Sequence, residues 1–230
     1  LHLSLRRQRQ MCIRDSYTFQ SALAKSWKKG RIFLAGDAAH LMPPFMGQGM
    51  CAGIRDVSNL AWKISHCLKN EHNDKLLNTY QSERSSNVKE YIETTMRMGE
   101  FVNAVGKSPI TNNISADSKG RKSMKSIKPR LGHGLGDLKD KFRGKIFPQI
   151  VIKKNQKLDE KFSLKPALII SDEIKKNISS KIKLIKSKNI KNLELFFKEH
   201  NCKAVIVRPD RFILSSCTSV KNFNSYLKDI

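Results

Sequence analysis

Residues 30–64 read GRIFLAGDAAHLMPPFMGQGMCAGIRDVSNLAWKI. The apolar run Ile32–Ala35 follows a turn at Gly30 and ends at Gly36, the pattern of a buried strand in a parallel α/β sheet. Asp37 then stands at the carboxyl end of that strand, where such sheets open their ligand crevice. A carboxylate is acceptor-only and suits the hydroxyls of a sugar-like chain. Pro43-Pro44 fixes the backbone and withholds two N–H donors, leaving carbonyls to face the crevice. Gly47 and Gly49 let the backbone come close to a flat ligand. Met50, Ile54, Val57, Ala61, Ile64 and Leu68 recur at spacings of three and four, which predicts a helix over 49–68 with one apolar stripe. The start of that helix offers unpaired amides and a partial positive charge, a place for an anion or a developing negative charge.

These parts suit a polyol attached to a ring that becomes negatively charged. Reduced flavin is such a ring, with its charge at the N1/C2 carbonyl edge. Asp37 would hold the ribityl hydroxyls, and the amides around Gly47–Met50 would stabilise the anionic ring.

The same stretch resembles the second flavin-binding motif of the single-component FAD-dependent aromatic hydroxylases, the class A flavoprotein monooxygenases. YTFQSALAKSWKKGR, from Tyr17, is similar to the lead-in of that family, and LLNTYQSERSSNV at 76–88 to one of its helices. GKIFPQIVIKKNQKLDE and KAVIVRPDRFILSS resemble the C-terminal thioredoxin-like domain of the phenol hydroxylase branch, which includes 3-(3-hydroxyphenyl)propionate and resorcinol hydroxylases. The resemblance implies an α/β fold: the C-terminal part of a Rossmann-like FAD-binding domain with long helices, then a thioredoxin-like α/β domain without CxxC. It implies FAD as cofactor, NADH or NADPH as co-substrate, and transfer of one oxygen atom from O2 to a phenolic substrate in aromatic catabolism. The cofactor-binding residues it implies are Gly36, Asp37, Pro44, Gly47, Gln48, Gly49, Met50 and Cys51. It assigns no catalytic residue and no metal ligand in this chain.

The chain departs from the family pattern in three places. Cys51 stands where an Asn is common, and a thiol replaces an amide donor–acceptor pair. Arg211 stands where the hairpin turn usually has Gly, which costs energy if φ there is positive. The GxGxxG that binds the ADP half of FAD is absent, so the sequence reads as the C-terminal portion of a longer enzyme, inactive alone.

Residues 1–16, LHLSLRRQRQMCIRDS, have no periodicity and resemble a translated sequencing adaptor, so they are set apart from fold reasoning. Residues 17–105 read as flavin-domain sequence, with further helix over 74–105. Residues 106–136, rich in Ser, Asn, Lys and Gly, read as a linker. From 137 to 230, KPALIIS, KIKLI, KAVIV and RFIL read as strands. Helices are expected over 172–180, around Ile190, Leu193 and Phe197, and from Val220 to Ile230. That β-α-β-α-β-β-α order predicts a small α/β domain.

The formal net charge is +24, and residues 107–200 hold 24 Lys/Arg against nine Asp/Glu. No interleaved aromatic residues or nucleic-acid motif accompany this charge, so it reads as solvated lysine faces. A basic module contacting nucleic acid is the alternative from another class. Five cysteines without CxxC or metal spacing fit a reduced, cytoplasmic protein. No apolar run reaches membrane-span length. A homodimer is compatible with the C-terminal domain. His40 reads as a structural hydrogen-bonding residue, Arg55 and Asp56 as ion-pairing or helix-packing residues, and Tyr80, Glu83 and Arg84 as ties between a helix and the flavin domain.

Overall fold

The computed structural model describes residues 18–69, 74–103, 114–116, 122–124, 127–153, 156–162, 165–174 and 182–217. Of the helix expected over 172–180, residues 172–174 are not helical and the rest lies outside these residues, as do the helix expected from Val220 onward and the segment 1–16.

The N-terminal region is built on two long helices, α1 (Gly49–Lys69) and α2 (Asp74–Asn103). Around them lie short strands: β1 (Ala22–Leu23) pairs antiparallel with β4 (His40–Leu41), and β2 (Lys28–Lys29) with β3 (Ile32–Phe33). The 76–88 pattern is a helix face, since Leu76, Tyr80, Glu83, Arg84, Asn87, Val88, Tyr91 and Ile92 are all buried. A small core of Trp27, Ala39, Ala52, Tyr80, Val88 and Ile92 joins the hairpins to both helices.

Two expectations are corrected here. The run Ile32–Ala35 is not a buried strand of a parallel sheet in the described residues. It is one arm of a two-residue antiparallel hairpin, and Ile32 is 70% exposed. Leu34 instead donates its N–H to the Trp27 carbonyl, and its own carbonyl accepts the Tyr80 hydroxyl at 2.9 Å. Helix α1 forms where expected, but its apolar stripe faces outward: Met50, Ile54, Val57 and Leu68 are 56–77% exposed. The buried face carries Ala52, Asp56, Asn59, Trp62 and Lys63. Periodicity identifies residues that share a face; here the polar face has partners on α2, and most of the apolar stripe is exposed.

The C-terminal region is a four-stranded mixed sheet in the order β10-β9-β11-β12. Here β9 is Ala167–Ile170, β10 Lys183–Lys186, β11 Ala204–Val207 and β12 Ile213–Cys217. β10 runs parallel to β9, and β11 antiparallel to both β9 and β12. Every residue of β9 and β11 is buried. Uniform burial follows from cover on both faces. Helix α3 (Lys191–His200) packs Leu193, Phe196 and Phe197 on one face, and Leu135 and Ile174 flank the core on the other. Three minor strand pairs and bridges complete the picture: β5 (Ile114–Ala116) with β6 (Lys122–Met124), β7 (Val151–Lys153) with β8 (Gln156–Lys157), and Ile146 with Phe212.

Within the stretch read as a linker, residues 131–136 pack closely against α2. Gly132 donates its N–H to the Glu83 carbonyl at 2.9 Å. A Cβ on Gly134 would collide with the Glu83 side chain, so only glycine fits this approach.

The outward stripe of α1 generates a prediction. Ile54→Lys and Val57→Lys should each change stability by no more than about 0.5 kcal/mol, because neither residue is buried. Together they should reduce apolar-dye binding and self-association, measured by fluorescence and sedimentation velocity. Ala52→Lys, on the buried face, should unfold the helix pair in a urea titration.

Candidate functional site

The loop between β3 and α1 is held from behind by a single carboxylate. Asp56, on the buried face of α1, accepts the Gly36 N–H at 3.0 Å, the His40 Nε2–H at 2.6 Å and the Arg84 Nε–H at 2.8 Å. Because the acceptor is a carboxylate, the His40 proton sits on Nε2. Burial would raise the Asp56 pKa, but the His40 hydrogen bond and the Arg84 charge hold it below its ordinary value. Gly36 takes φ +59° and faces Gly53 of α1, where a Cβ would sit 3.3 Å from the Gly36 Cα. This glycine pair brings the loop onto the helix.

The loop then turns Asp37 outward. Its side chain is exposed, with no hydrogen-bond or ion-pair partner among the described residues. The chain folds back through β4, and Pro44–Met46 form a short 3-10 turn closed by Gly47 at φ +60°. The Phe45 ring lies over Gly99 of α2, which anchors that turn. Gln48 accepts the Ala52 N–H at 2.8 Å, which makes it the cap of α1. The amides of Gly49, Met50 and Cys51 are therefore the first-turn amides that a helix leaves without intrahelical acceptors.

Asp37, Leu41, Met42, Pro44, Gly47, Gly49 and Met50 line one cleft of about 550 Å³, together with Thr18, Phe19 and Gln20. Five of the eight residues expected from sequence thus share a cavity. Gly36 lies behind it, in the contact with Gly53 and Asp56. The Gln48 side chain turns aside to Arg55, whose Nη2 donates to Oε1 at 3.4 Å, and Arg55 stacks on the Tyr91 ring. Cys51 is half-buried and does not line the cleft. A carboxylate facing a row of unsatisfied helix amides can hold hydroxyls at one end and a negative edge at the other.

A second buried cluster lies further along α1. Lys63 Nζ donates to Glu83 Oε2 and to Thr79 Oγ1, both at 2.8 Å. Arg208, from the β11–β12 turn, reaches Glu83 with Nη1 and Nη2 at 2.8 and 2.9 Å. It also donates to Asp210 through Nε at 3.0 Å and Nη2 at 2.6 Å. Asn59 Nδ2 bridges Glu83 and Asp210 at 3.0 and 2.9 Å. Burial alone would raise the Glu83 pKa, but Arg208 and Lys63 hold it well below the usual carboxylate range. Burial lowers Lys63 to about 8, against the pull of Glu83. Asn59, Lys63 and Arg208 do not stand out in the sequence. The signal for Asn59 and Lys63 is a polar stripe on α1 at Asp56, Asn59 and Lys63, with spacings of three and four.

Among the described residues, no group of three or more His, Cys, Asp or Glu side chains could hold a metal ion, and no helix is long and apolar enough to cross a membrane.

Residues 8–95 match the family described as FAD binding domain. The match begins inside the 1–16 stretch. In sequence, the chain is similar to hydroxylases of phenolic compounds. It is 41% identical over 138 residues to the probable NADH-specific resorcinol 4-hydroxylase of Rhodococcus jostii, covering 58% of this chain and 25% of that protein. It is 42% identical over 103 residues to the 3-(3-hydroxy-phenyl)propionate/3-hydroxycinnamic acid hydroxylase of Mycolicibacterium smegmatis, covering 45% of this chain and 17% of that one. The alignments thus span a quarter or less of these relatives. The fold is shared with aklavinone-11 hydroxylase, solved with FAD and aklavinone (TM-score 0.60, 18% identity), over 93% of this chain and 46% of that chain. It is also shared with the anhydrotetracycline hydroxylase OxyS from Streptomyces rimosus (TM-score 0.63, 16% identity), over 91% and 46%.

The charge cluster sets a test of stability. Glu83→Gln leaves Arg208 and Lys63 without their shared anion and should destabilise the chain by about 3–5 kcal/mol at pH 7. The folded Glu83 carboxyl titrates below its ordinary value of 4.5, so its contribution is complete above that pH and fades as pH falls further. Urea unfolding between pH 7 and 3 should therefore show a steeper acid loss in wild type than in Glu83→Gln.

Proposed function

We propose that this sequence belongs to an FAD-dependent monooxygenase that hydroxylates a phenolic substrate with O2 and NADH or NADPH. The observation that carries this reading is the single cleft that brings Asp37, Pro44, Gly47, Gly49 and Met50 together. The groups present fit the cofactor: an outward carboxylate with no partner among the described residues, a proline-fixed carbonyl and the first-turn amides of α1. Asp37 would accept hydrogen bonds from the ribityl hydroxyls. The Pro44 backbone would border the reactive edge of the ring. The amides of 47–51 would face the pyrimidine edge, where the helix dipole favours negative charge. When bound, the flavin supplies electron transfer from the nicotinamide and activation of O2. The chain's own work is to hold and orient that ring, with Asp56 fixing the loop through Gly36 and His40. His40 is buried against Trp27 and outside the cleft wall, which supports a positioning role.

We further propose the division 17–105 as flavin-domain sequence, 106–136 as the connection and 137–230 as a thioredoxin-like domain. A parallel β9–β10 pair followed by antiparallel β11 and β12 supports the last of these. The sequence contains no CxxC, and the domain is assigned an interaction or dimer-supporting role.

A chimera tests the site. The segment of the Mycolicibacterium smegmatis relative that aligns with this chain is replaced by the corresponding residues of this sequence. The purified chimera should retain FAD through gel filtration and oxidise NADH or NADPH in the presence of a phenol. Asp37→Ala in that chimera should lower FAD occupancy at least about tenfold, as expected for loss of a charge-assisted hydrogen bond. Undiminished flavin absorbance in the variant would refute the assignment of Asp37.

A further inference from the structure

We propose that Arg208 is a positioning residue for the flavin-binding loop. Through it, the C-terminal sheet sets the placement of α1 and hence of the Gly49–Cys51 amides. The proposal rests on the reading of the Asp37–Met50 cleft as the flavin site.

The argument begins with what α1 carries. Its first turn supplies the cleft amides. Asp56 holds the loop at Gly36 and His40. Asn59 and Lys63, one and two turns further on, hold the junction with the C-terminal sheet. All lie on one rigid element, and Asn59 is about 15 Å from Gly49 along the axis. A displacement of α1 at Asn59 is therefore transmitted to its first turn.

Arg208 fixes that end of the helix. It is 1% exposed and spans two carboxylates, Glu83 of α2 and Asp210 of its own turn, with its guanidinium 5.1 Å from the centre of the Trp62 ring. Asn59 lies between the same two carboxylates, so their spacing determines where Asn59 can sit. Helix α2 adds a second connection: Glu83 faces Arg208, while its neighbour Arg84 binds Asp56. The two clusters thus share both helices. Removal of Arg208 strands Glu83 against Asp210, and Asn59 is the group that must yield.

The experiment is amide hydrogen exchange on the chain itself, without flavin, in wild type, Arg208→Met, Arg208→Lys and Asn59→Leu. Arg208→Met should accelerate exchange at Gly36 and at 49–52 by about tenfold, as local opening is favoured, with the β9 amides unchanged. Arg208→Lys keeps the charge but not the bidentate geometry, and should give a smaller acceleration at the same amides with a near wild-type melting temperature. Asn59→Leu, which leaves Arg208 in place, should accelerate the same amides. Acceleration confined to 131–147 and 204–214, with 36–52 at wild-type rates, would overturn the proposal. If Arg208→Met does not fold, the Lys and Leu variants decide the matter by the same criterion. Because no flavin is present, loop amides that loosen in a chain that never binds FAD would separate failure of the functional reading from failure of this inference.

Discussion

Five N–H groups converge on the buried Glu83 carboxylate: two from Arg208 and one each from Lys63, Asn59 and the Leu135 backbone. A lone carboxylate in that position would give up its charge, because moving an ion out of water costs several kcal/mol even after relaxation. Here the anion, carried by α2, persists because its donors come from three other segments of the chain. α1, α2, the backbone of 131–135 and the β11–β12 turn meet at this point. None can shift without leaving a charge or a donor unmatched. Such a cluster contributes less to net stability than to orientation, since well-packed apolar side chains can often replace it without loss. Its main effect is to define one arrangement of two helices and a sheet.

Asp56 has a similar role a turn away on α1, with a loop in place of a domain. Its three donors are a backbone amide, a histidine and an arginine, and each comes from a different element. The outcome is a cleft whose walls are set from behind: Asp37 can face solvent because Asp56 does the holding. This separation leaves the Asp37 carboxylate exposed while the loop is held by other groups.

Part of the candidate site was legible in the sequence. The Gly-Asp, Pro-Pro and Gly-Gln-Gly elements fall around one cleft, and α1 begins at Gly49 as its spacing predicts. The apolar runs ALII and AVIV became fully buried strands. The sequence did not reveal which side of α1 meets the rest of the chain. An apolar stripe of Met50, Ile54 and Val57 argued for that side, while the true contact is polar and depends on residues more than a hundred positions away. The burial of Arg208 and Lys63 was not legible, because long cations are almost never fully buried unless paired, and the carboxylate they share, Glu83, is distant in sequence from both. The turn residue Arg211 was legible: it adopts φ +68°, where a glycine is usual. It is held there by Asp159 at 3.1 Å and by the Phe162 ring.

The buried junction also separates two kinds of electrostatics within one very basic chain. Mobile ions screen exposed charges over about 8 Å at physiological ionic strength, but they do not enter a closed protein interior. Among the described residues most lysines are exposed or half-buried, whereas Arg208, Lys63 and their carboxylates are sealed within. Ionic strength therefore governs how strongly anions are drawn toward the surface, while the alignment of helix and sheet is insulated from it. A change in salt alters the approach of a charged ligand without altering the shape it meets.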